Sequence, residues 1–294
     1  MVNRIFDRRA LRRQRDRAAA RIGEHDFLFD EVAARLIERL DDVRRDFAVA
    51  LDLGCHGGHL GRRLAGRVAT VVQCDLSPAM VARGGGLGVA ADEEALPFRE
   101  NSFDLVMSVL SLHWVNDLPG ALIQIARCLR PDGLLLVAFC GGGTLKELRQ
   151  AWLEAEAAQA GGASPRVAPF AELRDAGALL QRAGLAMPVA DAETITATYA
   201  DPLALMRDLR GMGEANALHA RTRHFTPRGV AFAAVEAYAA RHAGADGRVP
   251  ARFEILTLTA WKPDPSQPRA LKPGAATTRL ADALGAEERS ADDR

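Results

Sequence analysis

The feature that most limits how this chain can fold is a buried strand running straight into a glycine turn. Residues 48–53 (AVALDL) are apolar enough for a strand covered on both faces. They lead into Gly54-Cys55-His56-Gly57-Gly58. A glycine turn at the carboxyl end of a strand lets a ligand approach the backbone closely. The helix that opens at 60–65 aims its positive end at the same place, which favours a negative group. The alternation then continues. Residues 68–74 read as a second strand, and Ser77 caps a short helix with Pro78 at its first position. Residues 88–91 and 103–109 read as strands, 118–129 as an amphipathic helix. Pro131-Asp132-Gly133 turns the chain into a fifth strand, 134–139. Strands alternating with helices imply right-handed crossovers and a mainly parallel sheet, an α/β fold of the Rossmann-like kind.

Segments flank this unit on both sides. Residues 27–40 carry Leu28, Val32, Leu36 and Leu40 at four-residue steps, one buried stripe of a helix. This predicts an N-terminal helical segment, 1–44, ahead of a domain at 45–262. A helical insertion is expected at about 144–250. Its pieces are helices at 145–159, 173–182 and 203–209, a Gly/Ser/Pro loop at 161–169 and a strand at 194–199. Residues 252–261 alternate with period two and read as an antiparallel C-terminal edge strand. From 263 to 294 prolines, alanines and charges predict a disordered tail. No internal repeat is visible.

A cofactor follows from the acids at the strand ends. Asp75 stands 21 positions after Gly54, at the end of the second strand. An acid there can accept hydrogen bonds from ribose hydroxyls. Asp92 ends the third strand, where a carboxylate can take an adenine amino group. The glycine turn and these two acids point to S-adenosylmethionine (SAM). Asp52, Gly54, Cys55, Gly58, Leu76, Glu93 and Ser108 complete the expected cofactor set. A nicotinamide site would want GxGxxG, which GCHGG does not supply.

Charge and cysteine usage exclude other classes. With 38 basic and 38 acidic residues, the chain lacks the basic excess of a nucleic-acid binder. Eight arginines crowd between Arg4 and Arg21. They can cover the cleft or touch an acidic partner or lipid head groups, but a solvated face is the ordinary outcome for such a run. The four cysteines include no CxxC pair, which suggests reduced thiols in the cytoplasm. No apolar run is long enough for a transmembrane helix, so membrane contact is peripheral at most. His56 and His59 form an HxxH pair without a readable third ligand, and no metal is expected.

The segment ADEEALPFRENSFDLVMSVLSLHWVNDLPGALIQIARCLRPDG resembles the class I SAM-dependent methyltransferases, among them the biotin-pathway malonyl-carrier-protein methyltransferases. The pieces IFDRRALRRQRDRAA, HWVNDLP and LRGMGEAN resemble one branch more specifically. That branch is the respiratory complex I assembly factor family of methyltransferase-like protein-arginine hydroxylases. The resemblance spans about residues 6–263. It implies a SAM-binding protein acting on an arginine of a complex I subunit, in the cytoplasm, at the inner face of a membrane or in a matrix-like compartment. The usual methyltransferase loop has glycine where His56 stands, so a side chain there would narrow the methionine pocket or weaken SAM binding.

Reaction-site candidates lie in the loop after the fourth strand. His113 and Trp114 can orient a substrate, and Asn116 or Asp117 can hydrogen-bond a guanidinium. Asp117 is better read as the cap of the next helix. Glu214 and Asn216, in GMGEAN, are expected to contact a peptide arginine on the strength of the resemblance; the bland reading is that those glycines end a helix. Three functions stay open at this level. They are a SAM enzyme acting on a protein, a malonyl-carrier-protein O-methyltransferase, and a non-catalytic assembly chaperone that keeps SAM as a structural ligand.

Overall fold

The computed structural model describes residues 4–160, 162–268 and 278–285. The chain forms two units, Met1–Pro263 and Asp264–Arg294. In the first, seven strands make one sheet: β1 (Val49–Leu53), β2 (Thr70–Asp75), β3 (Leu87–Ala90), β4 (Phe103–Val109), β5 (Leu129–Cys140), β6 (Ala186–Tyr199) and β7 (Val249–Trp261). Their order is β3-β2-β1-β4-β5-β7-β6. The first five are parallel, and β7 runs antiparallel to both β5 and β6. This is the Rossmann-like class I methyltransferase fold. The order reverses beside β1, so a crevice opens between β1 and β4 at their carboxyl ends.

Period two within the strands builds two cores. Ala50, Leu105, Met107, Leu134, Leu136 and Ile255 point to one face. Leu51, Leu53, Val106, Leu135, Val137 and Leu256 point to the other. The first face is covered by α2 (Phe27–Asp41), α6 (Lys146–Ala160), α8 (Pro202–Gly211) and α9 (Arg228–His242) through Leu28, Leu36, Leu148, Leu205 and Tyr238. The second is covered by α5 (Leu118–Cys128) and α7 (Leu173–Arg182) through Leu122, Ile125 and Leu180. The remaining helices of this unit are α1 (Arg8–Ala18), α3 (His59–Leu64) and α4 (Pro78–Gly84). Ser77 caps α4 by accepting from the Met80 amide, and Asp117 caps α5 by accepting from Gly120.

Three expectations need correction. β7 is not the edge. β6 extends to 14 residues, pairs along the whole of β7 and takes the edge itself. Its alternation of small and acidic residues suits a half-exposed strand, and Asp191 and Glu193 are tied to Arg39 and Arg35 of α2. The strand expected at 194–199 within the 144–250 insertion is the last part of β6. The Pro131-Asp132-Gly133 turn is absorbed into β5 as a register shift between the Phe103–Leu129 and Leu105–Leu134 pairs. Helix α9 carried no expectation. Its stripe is only Val230, Ala234 and Tyr238, three buried residues in an alanine-rich segment. Within the expected tail, Leu280–Leu284 forms a short helix, α10, while 269–277 and 286–294 lie outside the described residues.

Helix α5 gives a direct check of the two-sided packing. Ile125 is fully buried and Ile123 is 51% exposed. Ile125→Ala is expected to lose about 2–5 kcal/mol in urea unfolding, and Ile123→Ala no more than about 0.5 kcal/mol.

Candidate active site

The glycine turn forms as the sequence predicts. Gly54 (φ +70°) and Gly58 (φ +80°) both take the left-handed conformation that glycine permits. A Cβ on Gly54 would overlap Ser111, and one on Gly58 would meet the Gly84 Cα of α4 at 2.7 Å. Asp52 is buried and accepts from the Gly61 amide at 3.1 Å, which fixes the first turn of α3. Cys55 is buried, and burial pushes its thiol well above the ordinary value, which disfavours the thiolate. Ser108 is fully buried within β4, in register with Val137. Leu76 packs against the cluster of Phe6, Leu11 and Trp114.

His56 does not stand over the turn as a free side chain. Its ring lies against Phe29, with centroids 4.2 Å apart, and Nε2 lies 3.1 Å and 3.2 Å from the Val109 and Leu110 carbonyls. Burial, then the charge of Arg15, pushes its pKa down to about 3. The neutral imidazole therefore donates from Nε2 and ties the loop to the end of β4. His59 also packs on Phe29, centroids 5.9 Å apart. Among the described residues, no group of three His, Cys, Asp or Glu side chains is placed to hold a metal ion.

The acids sit at the strand ends, and each is met by an arginine from α1. Asp75 is fully buried and accepts from the Ser77 amide at 2.8 Å and the His56 amide at 3.1 Å. Arg15, itself fully buried, lies 3.3 Å from Asp75, 3.4 Å from Glu93 and 3.9 Å from Glu214. It also donates to Ser111 Oγ at 3.2 Å, and Ser111 donates to Glu93 at 2.6 Å. Arg8 donates to Asp92 at 2.7 Å and to the Trp114 carbonyl at 3.2 Å, and pairs with Glu93. Burial works against charge on Glu93, but Arg8 and Arg15 bring its pKa down to about 2. Burial raises Asp75 above the ordinary carboxylate value, with Arg15 opposing.

The N-terminal arginines thus do not form a merely solvated face. The missed signal was positional. Arg15 occupies a place in the stripe Leu11, Arg15, Ala18, Ile22, where every other member is a buried apolar residue. Ser111 carried no sequence signal, because a serine after a strand is ordinary loop chemistry.

Of the reaction-site candidates, three converge. Glu214 Oε2 accepts from Trp114 Nε1 and lies 3.3 Å from His113 Nε2. Burial would raise Glu214, yet the hydrogen bond and charge of His113, with Arg15 beyond, hold it below the ordinary value. All three line a cavity of about 240 Å³ beyond the ends of β4 and β5, with Phe29, Leu110, Met206 and Met212 among its apolar walls. Asn116 does not join them. Its amide group brackets the Phe6 backbone, accepting from the nitrogen at 2.8 Å and donating to the carbonyl at 3.4 Å, so it anchors the N-terminal segment.

Comparison with known proteins agrees with this fold. Residues 51–137 match the family model described as a methyltransferase domain. The zebrafish (Danio rerio) protein named arginine-hydroxylase NDUFAF5, mitochondrial, is 41% identical over 95% of this chain and 89% of its own length. The chain belongs to the NDUFAF5 arginine-hydroxylase family. It is also similar to a malonyl-[acyl-carrier protein] O-methyltransferase of Halorhodospira halophila, 41% identical over 87% of this chain and 88% of that protein. A Bacillus halodurans structure assigned as a methyltransferase superposes with a TM-score of 0.55 at 18% identity, over 79% of this chain and 99% of that one. Among the described residues, no helix is long and apolar enough to cross a membrane.

Two buried groups give opposite pH signatures. His56 titrates near 6.5 when unfolded and near 3 when folded. The unfolded state binds more protons between those values, so stability falls as pH drops through that window. Asp52 moves the other way, from 3.8 unfolded to about 7 folded, mainly because of burial. The folded state binds the extra proton there, so stability rises as pH falls from 7 toward 3.8. Between about pH 7 and pH 5 each effect amounts to about 2 kcal/mol, with opposite sign. Relative to the native chain, His56→Asn is expected to gain stability on acidification and Asp52→Asn to lose it. Urea unfolding at both pH values checks this, and parallel curves for all three proteins would refute it. Arg15→Met is expected to lose about 3–5 kcal/mol at neutral pH, because it leaves buried carboxylates unpaired.

Proposed function

We propose that the protein is a SAM-binding enzyme that modifies an arginine of a protein partner during assembly of respiratory complex I. One observation carries the reading: an apolar cavity beyond the ends of β4 and β5 ends on a buried carboxylate, Glu214, whose Oε1 accepts no hydrogen bond among the described residues. An arginine side chain has the matching shape, an apolar stem with a planar cationic head. Trp114 and His113 hold Glu214 Oε2, while Oε1 faces Arg15 at 3.9 Å without a hydrogen bond and keeps the capacity to accept one from a guanidinium. The hydroxylase relatives' name supports the choice of arginine, and its word "mitochondrial" supports a matrix-like compartment.

The strand-end acids fit SAM. Asp75 would take the ribose hydroxyls and Asp92 the adenine amino group. Each of these ligand groups is a hydrogen-bond donor, as are the Arg15 and Arg8 groups that meet these acids in the structure. The exchange replaces one set of donors by another at Asp75 and Asp92, while Ser111 still donates to Glu93. SAM when bound supplies an electrophilic methyl group; the chain's own residues position the arginine against it.

A second reading has one observation in its favour. Arg210 lines the same cavity, and a malonyl carboxylate on a carrier protein could pair with it. Glu214 opposes that by repulsion, which is why arginine is preferred.

Asp75→Ala is expected to weaken SAM binding at least about tenfold in calorimetry, since two hydroxyl groups lose their acceptor. Unchanged affinity removes the cofactor assignment. Peptide mass spectrometry of complex I subunits from cells with and without the gene tests the reaction. Loss of one oxygen on an arginine supports hydroxylation, and loss of one methyl increment supports transfer from SAM. Unchanged maps, with methylation of a malonyl-carrier protein by the purified chain, favour the second reading.

A further inference from the structure

A second concavity, of about 620 Å³, adjoins the arginine-accepting cavity. Arg17, Arg21, Arg207, Arg210 and His25 line it, drawn from α1, the turn after it and α8. The two concavities are neighbours, with Arg210 and Ala215 lining both. Local structure brings the cations together. Gly211 lets the His25 ring pack against the end of α8, where a Cβ would come within 2.2 Å. Gly213 (φ +80°) lays the next loop onto α1, its would-be Cβ 3.2 Å from the Arg15 Cα. The same loop turns Glu214 into the first cavity and Ala215 between the two.

The charges in this basin are largely uncompensated by the chain. Arg21 pairs with Glu24, and His25 Nδ1 lies 2.6 Å from Asp208. Arg17, Arg207 and Arg210 are exposed and, among the described residues, make neither an ion pair nor a side-chain hydrogen bond. Arg17 and Arg210 sit in the last turns of α1 and α8, where the helix dipole eases each of them. It does not account for their convergence on one hollow, where like charges repel.

We propose that this basin receives acidic residues flanking the target arginine, and so selects arginines in an acidic context. The inference rests on the reading that the first cavity takes an arginine. The electrostatics give it direction. A peptide bearing a lone arginine, or a run of basic residues, meets a cationic rim before it reaches Glu214. Carboxylates beside the arginine reverse that barrier and fix the register through bidentate pairing with guanidinium groups.

The test uses the full chain and fluorescent synthetic peptides with a central arginine in a Gly/Ser frame. One has aspartates on both sides, one has asparagines there, and one replaces the arginine of the first by glutamine. Binding is read by anisotropy at low and high salt. The aspartate peptide is expected to bind about tenfold or more tightly than the asparagine peptide at low salt, and high salt should close the gap. Arg17→Glu with Arg207→Glu, both exposed and outside the first cavity, should remove the gap while the melting temperature holds. Equal affinity for the two flanks, or a gap that survives the double reversal, overturns the proposal. Anionic vesicles bound in place of peptides and lost in the double variant also overturn it, assigning the basin to lipid. If the glutamine peptide binds as tightly as its arginine parent, the arginine reading itself fails, independently of the flank comparison.

Discussion

The structure turns on one buried cation. Arg15 lies without solvent exposure among Asp75, Glu93 and Glu214. The fold forces the first two of these acids together, since one ends β2 and the other follows β3 on the adjacent strand. Removing such charges from water costs several kcal/mol per ion unless they are paired and hydrogen-bonded. Arg15, Ser111 and the His56 and Ser77 amides supply that compensation. Helix α1 is therefore part of the site, and its other contacts serve to hold it there: Asp16 accepts from Ser77 at 2.5 Å, Arg8 reaches Asp92, and the Asp7 amide donates to Ala217.

From this follows a division of charge across the cleft. Inside, carboxylates prevail and α1 neutralises them from above. Outside, the faces of α1 and α8 turned away from the cleft are cationic. A ligand with donor groups suits the interior and a partner with acidic groups suits the rim. The same helix supplies both polarities, because its 3.6-residue period sends Leu11, Arg15 and Ala18 inward and Arg17 outward.

His56 shows how a departure from a glycine-loop pattern is accommodated. The positive φ of 46° turns its ring beneath the loop, where it meets Phe29 and the carbonyls at the end of β4. The side chain becomes a strut between the loop, β4 and α2. Sequence reasoning placed it over the ligand because position in a loop does not fix the direction of a side chain.

The local pattern was enough for much of this molecule. Alternating apolar runs and glycine or proline punctuation determined β1, β2, β4, the caps at Ser77 and Asp117, and the acids at the strand ends, since these depend on backbone preference and burial within a few residues. Tertiary structure alone decided the rest. That β6 lies outside β7 depends on pairing between segments about 60 residues apart, and nothing in either strand's own alternation ranks its neighbours. That Asn116 holds the Phe6 backbone, while Glu214 joins His113 and Trp114 across about 100 residues, depends on where loops meet. The arginine of α1 was legible as a charge and as a break in an apolar stripe. Its role was not, because a buried cation is defined by the partners that the fold brings to it.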